Sequence, residues 1–140
     1  MFIGEYHHSI DPKGRLSLPV RFKSELAGGA VLTRGIDNCL FLWPKNAWTL
    51  FVNKIQSLPL TQANPRAFAR LMLGCAMEVE LDAQGRILIP NYLEDYAKLG
   101  KKAVIIGLND RLEIWDEDSY KDYQIKTEKA SAEIAEQLVF

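Results

Sequence analysis

Two arginines in this chain each close a short polar turn, Asp11-Pro12-Lys13-Gly14-Arg15 and Asp82-Ala83-Gln84-Gly85-Arg86. A guanidinium is planar, permanently charged and carries its N–H donors in a fixed fork. Raised on a tight turn, it can grip a phosphate or the acceptor edge of a guanine. The aspartate four residues earlier allows a second role, an i,i+4 salt bridge that holds the turn together, and the local sequence supports both roles equally. Lys13, Arg15, Arg21 and Lys23 follow one another closely, with Asp11 the nearby acid, whereas the second turn offers Gln84 and Arg86 beside Asp82. The residues that fit a DNA contact are therefore Lys13, Gly14, Arg15, Arg21, Lys23 and Arg86, with Asp11, Asp82 and Gly85 stabilising the turns. On local charge, the first half is expected to carry more of the phosphate contact.

Other chemistries find little support. His7 and His8 are adjacent, so on a strand they point to opposite faces, and no cysteine or carboxylate cluster in the sequence offers a metal site around them. Surface positions are expected for both. Cys39 and Cys75 have neither metal-ligand spacing nor a reason to pair, and both are expected to be small buried hydrophobes in a reducing compartment. G-x-S-x-G, P-loop and G-x-G-x-x-G patterns are absent. Asp116-Glu117-Asp118 reads as a helix start, where carboxylates suit the dipole, rather than as a metal site. No enzyme, metal or cofactor is expected.

The elements that must position these turns come in duplicate. Asp11-Pro12-Lys13-Gly14-Arg15-Leu16-Ser17-Leu18-Pro19 returns 71 residues later as Asp82-Ala83-Gln84-Gly85-Arg86-Ile87-Leu88-Ile89-Pro90. Further on, the offset is 72: Gly35 meets Gly107, Leu40-Phe41-Leu42-Trp43 meets Leu112-Glu113-Ile114-Trp115, Trp48 meets Tyr120, and Phe51 meets Tyr123. In each copy an extended segment (6–10, 76–81) leads into the turn. A strand follows, with Leu16 and Leu18, or Ile87 and Ile89, on one face, and is stopped by Pro19 or Pro90. Next come a short helix (20–26; 91–99, closed by Gly100) and two strands (30–33 and 39–43; 102–106 and 111–115) joined by hairpin residues. Such a unit buries too little surface to stand alone, which points to two copies completing each other's core about a pseudo-two-fold axis.

The boundaries expected are 1–51 for the first repeat, 52–74 for a helical connector, 75–123 for the second repeat and 124–140 for a helical tail. Apolar spacing predicts a helix over 45–57 through Trp48, Phe51, Val52 and Ile55. A second is predicted to start at Asn64-Pro65, cap then proline, and to bury Phe68, Leu71, Met72 and Cys75. From 119 to 140 a partly exposed helix is expected, with Ile134, Leu138 and Val139 as packing points.

Composition agrees with a globular protein, at 48% hydrophobic and 25% charged residues over 140 positions. The net charge of −1 argues mildly against nucleic-acid binding, but it hides a basic first half (+4 over residues 1–78) and an acidic second half (−5 over 79–140). The N-terminus lacks a signal-peptide pattern and no run reaches a membrane span, so a cytosolic address is expected.

The opening Met1-Phe2-x-Gly4, the two D-x-x-G-R motifs with their prolines, and Leu71-Met72-Leu73-Gly74-Cys75 together resemble the MraZ family, within the SpoVT–AbrB-like group, over almost the whole chain. The resemblance implies an α+β fold of two tandem, pseudo-symmetric AbrB-like β-barrel halves with flanking helices. It also implies ring-like homo-oligomers, nucleoid association, and sequence-specific transcriptional control of the division and cell-wall gene cluster through short promoter repeats. The family's D-x-x-x-R element is associated with DNA binding and maps onto Asp11–Arg15 and Asp82–Arg86; Gln84 stands where the first copy has Lys13. An alternative from another class is a protein-interaction scaffold on the same fold, suited to the acidic second half.

Overall fold

A computed structural model describes residues 1–139; Phe140, the end of the expected tail, lies outside the described residues. In the first half, β1 (Phe2–Ser9) and β2 (Arg15–Ser17) flank the first turn. A 3-10 turn, Val20–Phe22, runs into the short helix α1 (Lys23–Leu26), and β3 (Ala30–Arg34), β4 (Leu40–Pro44) and α2 (Lys45–Gln56) follow. After α3 (Ala63–Gly74) the pattern repeats as β5 (Met77–Val79), β6 (Arg86–Leu88), α4 (Asn91–Ala97), β7 (Lys102–Asn109), β8 (Leu112–Asp116) and α5 (Glu117–Lys129). A last helix, α6, spans Ser131–Glu136.

The α+β class and the tandem halves agree with the sequence, but the halves do not sit side by side as separate barrels. They exchange strands within one antiparallel six-stranded sheet, ordered β1-β7-β8-β4-β3-β5, and no barrel closes among the described residues. The first half's β1 pairs with the second half's β7, and the equivalent β5 pairs with β3. At the middle, β4 meets β8 with Phe41 opposite Glu113, and in a separate two-stranded ribbon β2 meets β6 with Leu16 opposite Ile87. Because equivalent residues face each other in both pairs, a pseudo-two-fold axis runs between them.

The sheet is covered on both faces, so β3, β4 and β7 read as continuous apolar runs rather than alternating ones. On one face Ala30, Leu32, Leu40, Leu42, Ala103, Ile105, Leu112 and Ile114 pack against the ribbon residues Leu16, Leu18, Ile87 and Ile89 and against Phe22 and Leu93 of the short helices. On the other, Cys39, Phe41, Trp43, Val104 and Trp115 pack beneath α2, α3 and α5. Here the repeat recurs as packing. Trp43 stacks on Phe51 at 4.6 Å, and Trp115 lies 5.2 Å from Tyr120 and 4.9 Å from Tyr123. Among the described residues the one buried polar side chain, Thr33, donates its hydroxyl to the Met72 carbonyl at 2.7 Å, which ties α3 to the sheet and satisfies the group.

Four local expectations change. Asn64 and Pro65 lie inside the first turn of α3, which starts at Ala63 after Gln62 without a side-chain cap; Pro65 is tolerated there because that N–H has no helical partner. The helix α4 ends before Gly100, at Lys98, which takes the left-handed cap conformation (φ +53°). Ile134, Leu138 and Val139 are exposed rather than packed, as is Leu71 on α3. Cys39 is buried, with burial pushing its thiol pKa up, whereas Cys75 is only half-buried.

Candidate nucleic-acid interface

Each D-x-x-G-R turn is folded around its aspartate. Asp11 Oδ1 accepts the backbone N–H groups of Lys13 (3.0 Å) and Arg15 (2.8 Å), and Oδ2 accepts Arg15 Nε at 2.6 Å. The second turn repeats this: Asp82 Oδ1 takes the N–H of Gln84 and of Arg86, both at 2.9 Å, and Oδ2 takes Arg86 Nε at 2.9 Å. Glycine is required where the chain turns back. Gly14 has φ +83° and Gly85 φ +76°, and each donates its N–H to the aspartate carbonyl at 2.9 Å. Hydrogen bonds to the ionised form, led by the arginine backbone N–H, hold both aspartates below the usual carboxylate range.

The salt bridge that the i,i+4 spacing allowed is thus present in both copies. It engages the guanidinium through Nε, and Arg15 makes no Nη hydrogen bond among the described residues. A planar group fixed at Nε still presents its Nη edge, and fixing it removes rotamer freedom that a ligand would otherwise have to freeze. The bridge and the DNA contact are therefore compatible on one side chain.

The ribbon β2–β6 brings the two turns together. Leu18 N donates to the Gly85 carbonyl at 3.1 Å, and Ile89 N donates to the Gly14 carbonyl at 2.8 Å, each half closing the other's turn. Arg86 Nη1 comes within 3.9 Å of Asp11 Oδ2, so the arginines share one surface across the pseudo-axis.

The remaining cations are dispersed. Lys13 is exposed beside Gly14. Arg21, also exposed, donates Nη1 to the Tyr6 hydroxyl at 2.9 Å and lies 5.6 Å from the Phe22 ring, so the 3-10 turn holds it against β1. Lys23 is not with Lys13 and Arg15. It lies over the second turn, where a Cβ on Gly85 would stand 3.0 Å from its Nζ. The matching place over the first turn belongs to Glu94 of α4, whose Oε1 would be 2.5 Å from a Cβ on Gly14. Burial and the neighbouring Asp95 raise the Glu94 pKa. Glu94 was not among the residues expected from sequence; the repeat offset, which aligns it with Lys23, was the available signal.

Away from the turns, His7 is exposed and bonded on both ring nitrogens, to Glu117 Oε2 and Glu5 Oε2, each at 3.0 Å. Among the described residues no three His, Cys, Asp or Glu side chains group as a metal site, and no helix is long and apolar enough to cross a membrane. Beside α2, Ile36, Phe41, Trp43, Leu50 and Phe51 line an apolar groove of about 700 Å³, with the Arg111 guanidinium over the Phe41 and Trp43 rings.

Comparison with known proteins reproduces the duplication. The family model for the MraZ protein, described as antitoxin-like, matches twice, over residues 1–71 and 72–139. The chain is 48% identical over 139 residues to the transcriptional regulator MraZ of Natranaerobius thermophilus, covering 99% of this chain and 97% of that one. Against the proteins of the same name from Moorella thermoacetica and Pelotomaculum thermopropionicum the identities are 47% and 49%, covering 99% of this chain and 97% and 96% of theirs.

Proposed function

The chain belongs to the MraZ family, and from that membership together with the paired turns we propose that it is a sequence-specific DNA-binding transcription regulator. The observation that carries the reading is the ribbon that sets two Nε-anchored arginines on one surface. Arg15 and Arg86 reach into a groove and Lys13, Arg21 and Lys23 contact phosphates, while Gly14, buried beneath Glu94, and Gly85, buried beneath Lys23, shape the turns rather than touch DNA. The target is the promoter of the division and cell-wall gene cluster, read as short tandem repeats by a ring-like homo-oligomer in the cytosol, at the nucleoid.

One chain offers few cations near its two turns and a net charge of −1, so a single site is bound weakly, at about 10⁻⁴–10⁻⁶ M. Identical subunits seated on neighbouring repeats gain about 10²–10⁴ in affinity by effective concentration alone. Titration against DNA with one to four sites should show affinity climbing steeply with site number, and falling when about half of a 10-bp turn is inserted between sites. Arg15→Ala should weaken binding while leaving the melting temperature nearly unchanged, since a part-exposed pair contributes little. If one site binds as tightly as four, recognition resides in a single chain. If Arg15→Ala binds normally, the turn is structural only.

The apolar groove beside Trp43 favours a second reading, a protein-interaction scaffold. Salt separates the two, because electrostatic DNA binding falls steeply with it and apolar contacts much less.

A further inference from the structure

The strand exchange also exchanges the helices that overlook the turns. Lys23 and Glu94 are equivalent at the 71-residue offset, and each leans over the glycine of the other half. Along the chain, Lys23 adds to a basic first half; in space, it joins Arg86 and Gln84 at the second turn, and a carboxylate takes its place beside Lys13 and Arg15. The two turns therefore differ in one flanking charge, and the difference runs opposite to the order in which the cations appear in the sequence.

We propose that Glu94 and Lys23 set the polarity of the DNA-facing surface, with Glu94 repelling phosphate at the first turn and Lys23 drawing it to the second. This rests on the DNA-binding reading above. A carboxylate beside a turn that meets a polyanion opposes every sequence alike, so its effect falls on non-specific affinity and leaves base preference to the arginines. Lys23 makes no ion pair among the described residues, and its amine is available to a phosphate. The second turn thereby regains the cation that Gln84, in place of lysine, had cost it. On this proposal, and against the charge order along the chain, Arg86→Ala should cost at least as much affinity as Arg15→Ala.

The test uses the full-length protein, and duplexes of its own upstream DNA and of unrelated sequence, titrated over a range of salt. Glu94→Gln should tighten binding to both duplexes by about threefold, the scale of one screened charge near a phosphate. Lys23→Gln should weaken both similarly and lower the salt slope by about 1. Because Glu94→Lys alone could disturb α4, the charge swap Lys23→Glu with Glu94→Lys, which keeps the net charge, provides the second arm. In that background Arg15→Ala should become the costlier arginine substitution. If Glu94→Gln and Lys23→Gln leave affinity and salt slope unchanged while Arg86→Ala still loses binding, the proposal is overturned and the DNA-binding reading stands. If the wild-type protein binds neither duplex in a salt-dependent way, the DNA-binding reading fails and the proposal falls with it.

Discussion

Leu16 and Ile87 stand directly opposite each other in the ribbon, 71 residues apart in sequence, and neither exposes any surface. Opposed residues of an antiparallel pair have Cβ atoms about 4.5–5.5 Å apart, so these two side chains share one region of core beneath the turns. Truncating a buried leucine or isoleucine to alanine costs about 2–5 kcal/mol, depending on how far the cavity collapses, and about 3 kcal/mol is expected for each here. With an m value of about 2 kcal/mol/M, each single variant should lower the urea midpoint by roughly 1.5 M at fixed protein concentration. Because the second truncation enlarges a cavity that the first has already opened, Leu16→Ala and Ile87→Ala should couple by about 0.5–3 kcal/mol in a double-mutant cycle. If the double variant is partly unfolded without urea, Leu16→Ala with Ile87→Val gives the same cycle on a smaller scale. Additivity within about 0.5 kcal/mol, or two separate unfolding transitions, would mean independent halves and would refute the shared core.

Strand exchange can also be tested from its edge. A Cβ on Gly107 would stand 2.5 Å from the Phe2 carbonyl carbon and 2.7 Å from Ile3 Cα, both backbone atoms of β1, so β1 must move off β7. Gly107→Ala should cost about 1–3 kcal/mol by thermal melting, whereas Gly74→Ala at the open end of α3 should be neutral or slightly stabilising; equal effects would contradict the pairing. Hydrogen bonds that His7 donates to Glu117 and then to Glu5 raise its pKa above the ordinary 6.5, and burial lowers that of His8. The contribution of His7 to stability is therefore full below 6.5 and is lost as pH rises through its higher folded value. Proton NMR should show His7 titrating above His8, and Glu117→Gln should bring it down; the reverse order would sink the assignment.

The repeat, the turns and the strand-to-helix pairing of aromatics were legible because each depends on local chemistry. Gly14 and Gly85 supply a positive φ, Asp11 and Asp82 accept from the backbone two and four residues on, and Trp43 with Phe51, like Trp115 with Tyr123, keeps helical spacing to its strand. The salt-bridge role and the DNA role of Arg15 were both readable, and only the choice of Nε as the bridging atom made them compatible. Sequence could establish that the halves pair about a pseudo-axis, but not which strands cross it. An antiparallel edge accepts an equivalent strand from either copy with the same hydrogen bonds, so β1 on β7 and β5 on β3 was settled by connection geometry and by burial of both sheet faces. Charge followed that choice. Neighbours in sequence, Lys13 and Lys23, were assigned to different turns, and Glu94 was brought over Gly14, because a side chain's electrostatic surroundings are set by distance in space, which only the tertiary fold defines.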